Sequence, residues 1–519
     1  MPLRRRSTDV RALSFEVVDD LDETGPVPGD AGERTAPRAG PTGAHGTADP
    51  VPRSGRRRTS RTAWAVVAGV AVLAAGGLVI GETVEDRRAT ARLVTTPGGV
   101  LPFTGTPTEL WSVDTGDQPW VVWRDLLLVG STEDAGATLV AVDATTGQET
   151  WQAEIGEGAT CGRAFEWRSS DQEDEPLVCL YGPPEAVAVA AVDETGDVTG
   201  RRDLGATGAG SVYAVGPGGT VVHVRRDGPA GPPVGPRDLD EGSSTPVVVD
   251  VPGGRNVVVS LTDAVSGEVR WEHELWFVPP AEIYGCRTST NDTSELAIDD
   301  VGAWTLGQIV TVRGCGIDAT FSASGARLDD PDAPDDSVEA LTGQLVNRFD
   351  PATGRSTVLD LGGAERWEVD GNLLLPMASD GTAPDLLLAR TTGGLSAFDL
   401  DGTELWDVPQ TSDTVLVQTG AVVLADDGTG GLEALDPTSG RALWSVDGSD
   451  AAYPFGAATD GSRAILFSGT TTDGTTRSTG YDLATGEVLW TEEQPTGTGW
   501  FAHRGALLEV TERSVARWG

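Results

Sequence analysis

The hydrophobic pattern of the chain has two distinct periods. From Thr62 to Gly81 runs TAWAVVAGVAVLAAGGLVIG, without one charged residue. A helix of that length, at about 1.5 Å per residue, matches the roughly 30 Å hydrocarbon core of a bilayer. From residue 108 onward, short apolar runs alternate with polar positions at the two-residue period of strands and are broken by Gly, Asp and Ser. Within that region one unit recurs, an apolar residue, then Asp, Thr or Ser, Gly and Trp. It reads VDATTGQETW ending at Trp151, TDAVSGEVRW at Trp271, LDPTSGRALW at Trp444 and YDLATGEVLW at Trp490, with a shorter copy, FDLDGTELW, at Trp406. Each copy predicts a hairpin. The alternating run feeds a strand, Asp starts the turn by binding its own backbone, Gly takes the positive φ, and a second strand carries the Trp.

Upstream of each hairpin lie further strand-like runs, such as WVVWRDLLLVGS from Trp120 and GSRAILFSGT from Gly461. One repeat is therefore a four-stranded antiparallel blade, and the fold class is all-β, a β-propeller. Outer strands near 111, 151, 201, 271, 358, 406, 444 and 490 count eight blades, with seven as the alternative because the copies at 201 and 358 lack Trp. ELWSVD at 109–114 is a Trp-bearing outer strand with no blade before it, while GALLEV and SVARW near the C-terminus stop one strand short. Pairing the two is expected to close the ring and remove an open sheet edge. The expected organisation is a disordered tail over 1–61, a transmembrane helix over 62–81, a stalk over 82–107 and the propeller over 108–519.

Charge places these parts. Residues 1–81 balance at +2 and the remainder at -44, all 37 basic residues being Arg. A surface this acidic excludes nucleic-acid binding, which needs cations to displace counterions from phosphate. Arg53, Arg56, Arg57, Arg58 and Arg61 precede the apolar run, whereas Glu82, Glu85 and Asp86 follow it. The positive-inside rule then sets the N-terminus in the cytoplasm and the propeller outside a single-pass cell-membrane span. About sixty polar residues before the run speak against a cleaved signal peptide. Four cysteines fall as two close pairs, Cys161 with Cys179 and Cys286 with Cys315, and an oxidising exterior predicts a disulfide in each. The alternative, a metal site, lacks any CxxC or HxxxH spacing.

The recurring Asp, Gly and Trp resemble the tryptophan-docking motif of the PQQ-like (quinoprotein-type) propeller family, over about residues 108–519. The resemblance implies that Trp111, Trp151, Trp271, Trp406, Trp444 and Trp490 are structural, packing between neighbouring blades. It also implies two directions for function. One branch holds PQQ with calcium and oxidises alcohols or sugars; the other is made of non-catalytic scaffolds. The adjacent-cysteine disulfide common in the enzymes is missing here, and no GxSxG, HExxH or GxxxxGK(S/T) occurs.

The reading is therefore not an enzyme, without cofactor, but a membrane-anchored module binding an envelope protein or small ligand, with a PQQ/calcium-dependent dehydrogenase or PQQ sensor as the alternative. Function is expected in the long insertions RDGPAGPPVGPRDLDEGSS from Arg226 and LDDPDAPDDSVE from Leu328, because long loops on a rigid scaffold carry binding. DLDGTE from Asp399 and the acidic run from Asp329 are candidate calcium loops, read first as solvated turns. His223, His273 and His503 are read as packing or surface residues.

Overall fold

The computed structural model describes residues 87–519 except 116–119, 132–137, 163–174, 209, 229–253, 280–285, 287–297, 334–335, 410–413, 428–429, 449–451, 471–475 and 495–496. The expected tail and membrane span lie outside the described residues, and no helix among those described is long and apolar enough to cross a membrane. Residues 89–519 fall in one compact unit; the other, 20–88, is described only at 87 and 88.

The described residues form nine β-sheets. In chain order, sheet 1 spans Trp120–Glu154, sheet 2 Thr160–Gly205, sheet 3 Ser211–Leu275, sheet 4 Val301–Ser322 and sheet 5 Ser337–Val369. Sheet 6 follows at Gly371–Val408, sheet 7 at Val415–Val446, sheet 8 at Ala452–Gln494 and sheet 9 at Gly499–Trp518. Each is an antiparallel meander of four strands, except that sheet 4 has three and sheet 7 gains a fifth, Ala378–Ser379, running parallel to its first strand. Sheet 9 takes its fourth strand, Glu109–Asp114, from the far end of the sequence, paired with Ser514–Trp518.

Apolar clusters join every sheet to the next. Val121 and Trp123 of sheet 1 meet Leu177 and Ala190 of sheet 2; Val189 meets Val221 of sheet 3; Val259 meets Val310 of sheet 4; Ile309 meets Val346 of sheet 5. Val358 then meets Leu387 of sheet 6, Leu395 meets Val423 of sheet 7, Leu424 meets Leu466 of sheet 8 and Phe467 meets Trp500 of sheet 9. Val515 of sheet 9 packs back on Leu127 and Val142 of sheet 1. The sheets thus form a closed cycle with their first strands innermost, where those of sheets 7, 8 and 9 lie against one another. Closure gives every sheet a neighbour on either side, so the inner strands bury apolar side chains on both faces, while outer-strand residues such as Leu110, Val269 and Val488 stay exposed.

Nine sheets are one more than the eight blades read from the sequence. The additional one is sheet 4, which carries no docking hairpin to mark it in the sequence. Its outer strand is reduced to a short return in which Ser322 donates to the Ala326 carbonyl and Leu328 to the Thr320 carbonyl. The outer strand expected near 358 is the third strand of sheet 5; the hairpin after Asp350 joins the second and third strands. The fourth strand of that sheet is Glu365–Val369, and it bears Trp367. The same Asp-Thr-Gly chemistry makes any tight turn, so the turn alone does not say which pair of strands it joins.

The segment expected as a stalk is largely bound to the ring. A helix over 87–95 turns Leu93 into the interior. After it, Val100 and Leu101 donate to the carbonyls of Thr459 and Gly505.

Candidate functional site

The docking hairpins hold most of the recurring polar residues. Asp143 Oδ1 accepts hydrogen bonds from the backbone N–H of Thr145 (2.9 Å) and Thr146 (2.7 Å) and from the Thr146 hydroxyl. Asp263, Asp436 and Asp482 repeat the arrangement. The hydrogen bonds favour the ionised form: the Thr438 hydroxyl first of all holds Asp436 below the usual carboxylate range, and the Ser266 N–H does the same for Asp263. The Gly that follows takes φ near +70° in Gly147, with room on that side only for an indole: a Cβ there would stand 2.6 Å from Trp111.

Each indole belongs to the preceding sheet and lies on the next sheet's hairpin. Trp111 Nε1 donates to the Thr145 carbonyl (3.3 Å), Trp271 to Ala323 (3.0 Å), Trp406 to Pro437 (2.8 Å) and Trp444 to Leu483 (2.9 Å). Trp367, which the sequence reading missed, donates likewise to Leu400 (3.0 Å); the spacing Asp360-x-Gly-Gly-x-x-x-Trp367 would have revealed it. Trp151 lies on Gly196, but its Nε1 has no partner among the described residues. Trp490 Nε1 likewise has no partner among the described residues. In sheet 2 the Trp position is Gly200, and Val265 of sheet 3 fills the gap.

The two disulfides stand in the sheets that lack a docking Trp. Cys161 and Cys179 are direct cross-strand partners in sheet 2, where the first strand is only two residues long. Cys286 is bonded to Cys315 in the turn between the second and third strands of sheet 4.

Among the described residues, the candidate calcium-loop aspartates are engaged in their own turns. Asp399 Oδ1 accepts from the N–H of Asp401 and Thr403. Asp329 is held by Arg327 (2.6 Å) and the Thr320 N–H, and Asp336 accepts from the Asp330 N–H. No group of three or more His, Cys, Asp or Glu among the described residues is placed to hold a metal ion. His273 stacks on Phe321 at 4.7 Å, and His223 on Tyr213 at 4.2 Å.

His503 of sheet 9 meets the Arg124 carbonyl of sheet 1 through Nε2. Desolvation brings its pKa down to about 4 from 6.5, so it is neutral near pH 7. A base with a depressed folded pKa contributes stability that is present above the unfolded value and lost as pH falls from 6.5 toward 4. His503→Gln, which keeps a donor, is expected to lessen the acid loss of stability by on the order of 2 kcal/mol between about pH 7 and pH 4.5. Thermal unfolding of both proteins at the two pH values measures it, and parallel curves would refute it.

Exposed apolar groups occur at several places among the described residues, and the most exposed lie beyond sheet 3. Hairpins joining first to second and third to fourth strands lie on one face of the ring; the other face carries the second-to-third and fourth-to-first connections. There, just beyond the fourth strand of sheet 3, Trp276 is 71% exposed and Val278 63% exposed. Phe277 between them is fixed: its N–H donates to Asn256 Oδ1, and its ring lies on Gly254 and Gly316. The Val278 N–H donates to the Gly316 carbonyl (3.0 Å).

Beneath this run, buried Arg226 donates to the carbonyls of Arg255 and Cys315 (both 2.8 Å), and Arg255 pairs with Asp299 at 2.9 Å. The sequence pointed to the insertion after Arg226; the structure sets its returning end, Gly254–Asn256, against Phe277, between the exposed Trp276 and Val278.

Residues 339–505 match the family described as outer membrane protein assembly factor BamB, a PQQ-like repeat family. Over those residues the chain is similar to that family, and the match covers about a third of its length. Among solved structures, this propeller is similar to BamB from Moraxella catarrhalis (15% identity, 80% of this chain and 99% of that one, TM-score 0.39). It is also similar to a quinohemoprotein alcohol dehydrogenase from Pseudomonas putida (13% identity, 82% and 78% covered, TM-score 0.36) and to the quinohemoprotein alcohol dehydrogenase of Comamonas testosteroni (12% identity, 83% and 81% covered, TM-score 0.34). No curated protein matches it in sequence.

Proposed function

We propose that this propeller is a non-catalytic binding module, held outside the cell membrane by a span at 62–81, and that it captures an envelope protein through the surface around Trp276. The observation that carries the reading is the Trp276–Val278 run. Two large apolar side chains stand in solvent on a base fixed by Phe277, Arg226 and the Cys286–Cys315 bridge. A rigid, exposed indole costs little entropy to bury and is the kind of residue that dominates protein interfaces. The family match to an assembly factor supports a protein partner.

PQQ with calcium, the alternative, needs a set of oxygen donors. Among the described residues the repeat aspartates are committed to their own turns and no metal-binding group is assembled.

The test is capture of envelope proteins by the ectodomain, compared with Trp276→Ala. The expected result is a specific protein recovered by the parent and weakened about 30-fold or more by the substitution, with the melting temperature unchanged within a degree or so, since the side chain is exposed. Equal capture by both proteins would exclude Trp276 as the anchor. Binding of PQQ with dye-linked alcohol oxidation would overturn the non-catalytic reading.

A further inference from the structure

The chain is used twice to close the ring. Besides supplying the outer strand of sheet 9, it lays residues 96–103 across the inner ends of sheets 7, 8 and 9. Ser379, in the short fifth strand of sheet 7, donates to the Pro97 carbonyl (2.7 Å), and Thr96 Oγ1 donates to the Ser379 carbonyl (2.8 Å). Thr459 donates to Gly98 and Val100 donates back to Thr459 (both 2.8 Å), and Leu101 reaches Gly505 of sheet 9 (2.8 Å). Arg463 of sheet 8 donates to the Phe103 carbonyl and places its guanidinium 4.4 Å from the centre of that ring, while Asp460 holds it at 2.6 Å.

The fit is close. Val100, 1% exposed, fills a socket of Ala458, Ile465, Phe467, Trp490, Trp500 and Leu507. A Cβ on Gly98 would stand 2.4 Å from that of Ala378, and one on Gly99 2.2 Å from the Leu93 carbonyl oxygen.

We propose that residues 89–103 are a latch: a strap that locks the inner ends of sheets 7–9 and opens as a unit while the rest of the propeller stays folded. The strap is held by a handful of main-chain hydrogen bonds and by two fully enclosed apolar side chains, Leu93 and Val100. The sheets beneath it are held by continuous ladders and by packing on both faces. Elements with few buried contacts open below the free energy of global unfolding. Opening frees the Ser379 and Thr459 amides and empties the Val100 socket, one wall of which is Trp490, an indole without a hydrogen-bond partner among the described residues. The latch therefore sets the firmness of the joint between sheets 8 and 9 from the sequence just upstream. This holds whether or not Trp276 anchors a partner.

Hydrogen exchange on the full-length chain tests it. The amides of Val100, Leu101, Ser379 and Thr459 are expected to exchange at one shared rate, at least about tenfold faster than those of Leu466 and Leu508, and with little dependence on denaturant. Val100→Ala and Phe103→Ala, mild enough to leave the ring folded, should each speed that set about tenfold or more and leave Val178 and Val222 unchanged. If Val100 and Leu101 exchange only with global unfolding, or if either substitution speeds exchange equally all round the ring, the latch is refuted. Failure of Trp276→Ala to affect capture would leave this result untouched.

Discussion

Trp406→Ala is expected to cost about 3–5 kcal/mol of stability. The indole is 7% exposed, packs on Gly440 of the next sheet and donates to the Pro437 carbonyl at 2.8 Å. Its removal leaves a cavity between sheets 6 and 7 and a carbonyl without its donor, and the two penalties add. Trp406→Phe should recover most of the packing and none of the hydrogen bond, losing about 1–2 kcal/mol. Chemical denaturation of the three proteins measures the ladder of losses. Trp490 gives the internal contrast: lacking the hydrogen bond, it should show almost no difference between its Phe and parent forms beyond the packing change. A loss at Trp406→Ala below about 1 kcal/mol would show that the ring does not depend on its docked indoles.

The second large effect concerns the disulfides. Cys161–Cys179 and Cys286–Cys315 close loops of 18 and 29 residues. On the chain-entropy account each contributes about 3 kcal/mol by restricting the unfolded chain. Both occur where a neighbouring sheet has no Trp to grip, at Gly200 of sheet 2 and at the shortened outer edge of sheet 4. Replacing Cys286 and Cys315 together by Ala should therefore lower stability by about 3 kcal/mol and also release the run that carries Trp276, because the Cys315 carbonyl is what Arg226 holds. The distinguishing measurement is partner capture at a temperature where the variant is still folded. Reduced capture would tie the bridge to the binding face, and unchanged capture would confine it to stability.

Much of this architecture was legible in the sequence because the repeat is local chemistry. Asp143, Gly147 and Trp151 lie within nine residues of one another, and backbone geometry alone requires an acceptor, a residue tolerant of positive φ and a second strand. Sheet 4 was not legible. It is held by Val310, Val312 and Phe321 packing on sheet 3, contacts between residues remote in sequence, and it carries no turn signature to mark it. Trp367 was within reach, since its hairpin differs from the others only in using Gly362–Gly363 after Asp360.

What the sequence determined by itself is the blade: alternating side chains, Asp-initiated turns, and an indole at a fixed offset, each set by the properties of a short peptide. What only the tertiary structure decided is how the blades meet. It fixed the number of sheets, the strand at Glu109–Asp114 that completes the ninth, the course of residues 96–103 over the inner strands, and the placing of Trp276 above Arg226 and Cys315. These depend on packing between segments separated by up to hundreds of residues, and the free energy of such contacts comes from surfaces fitting together, which no local pattern records.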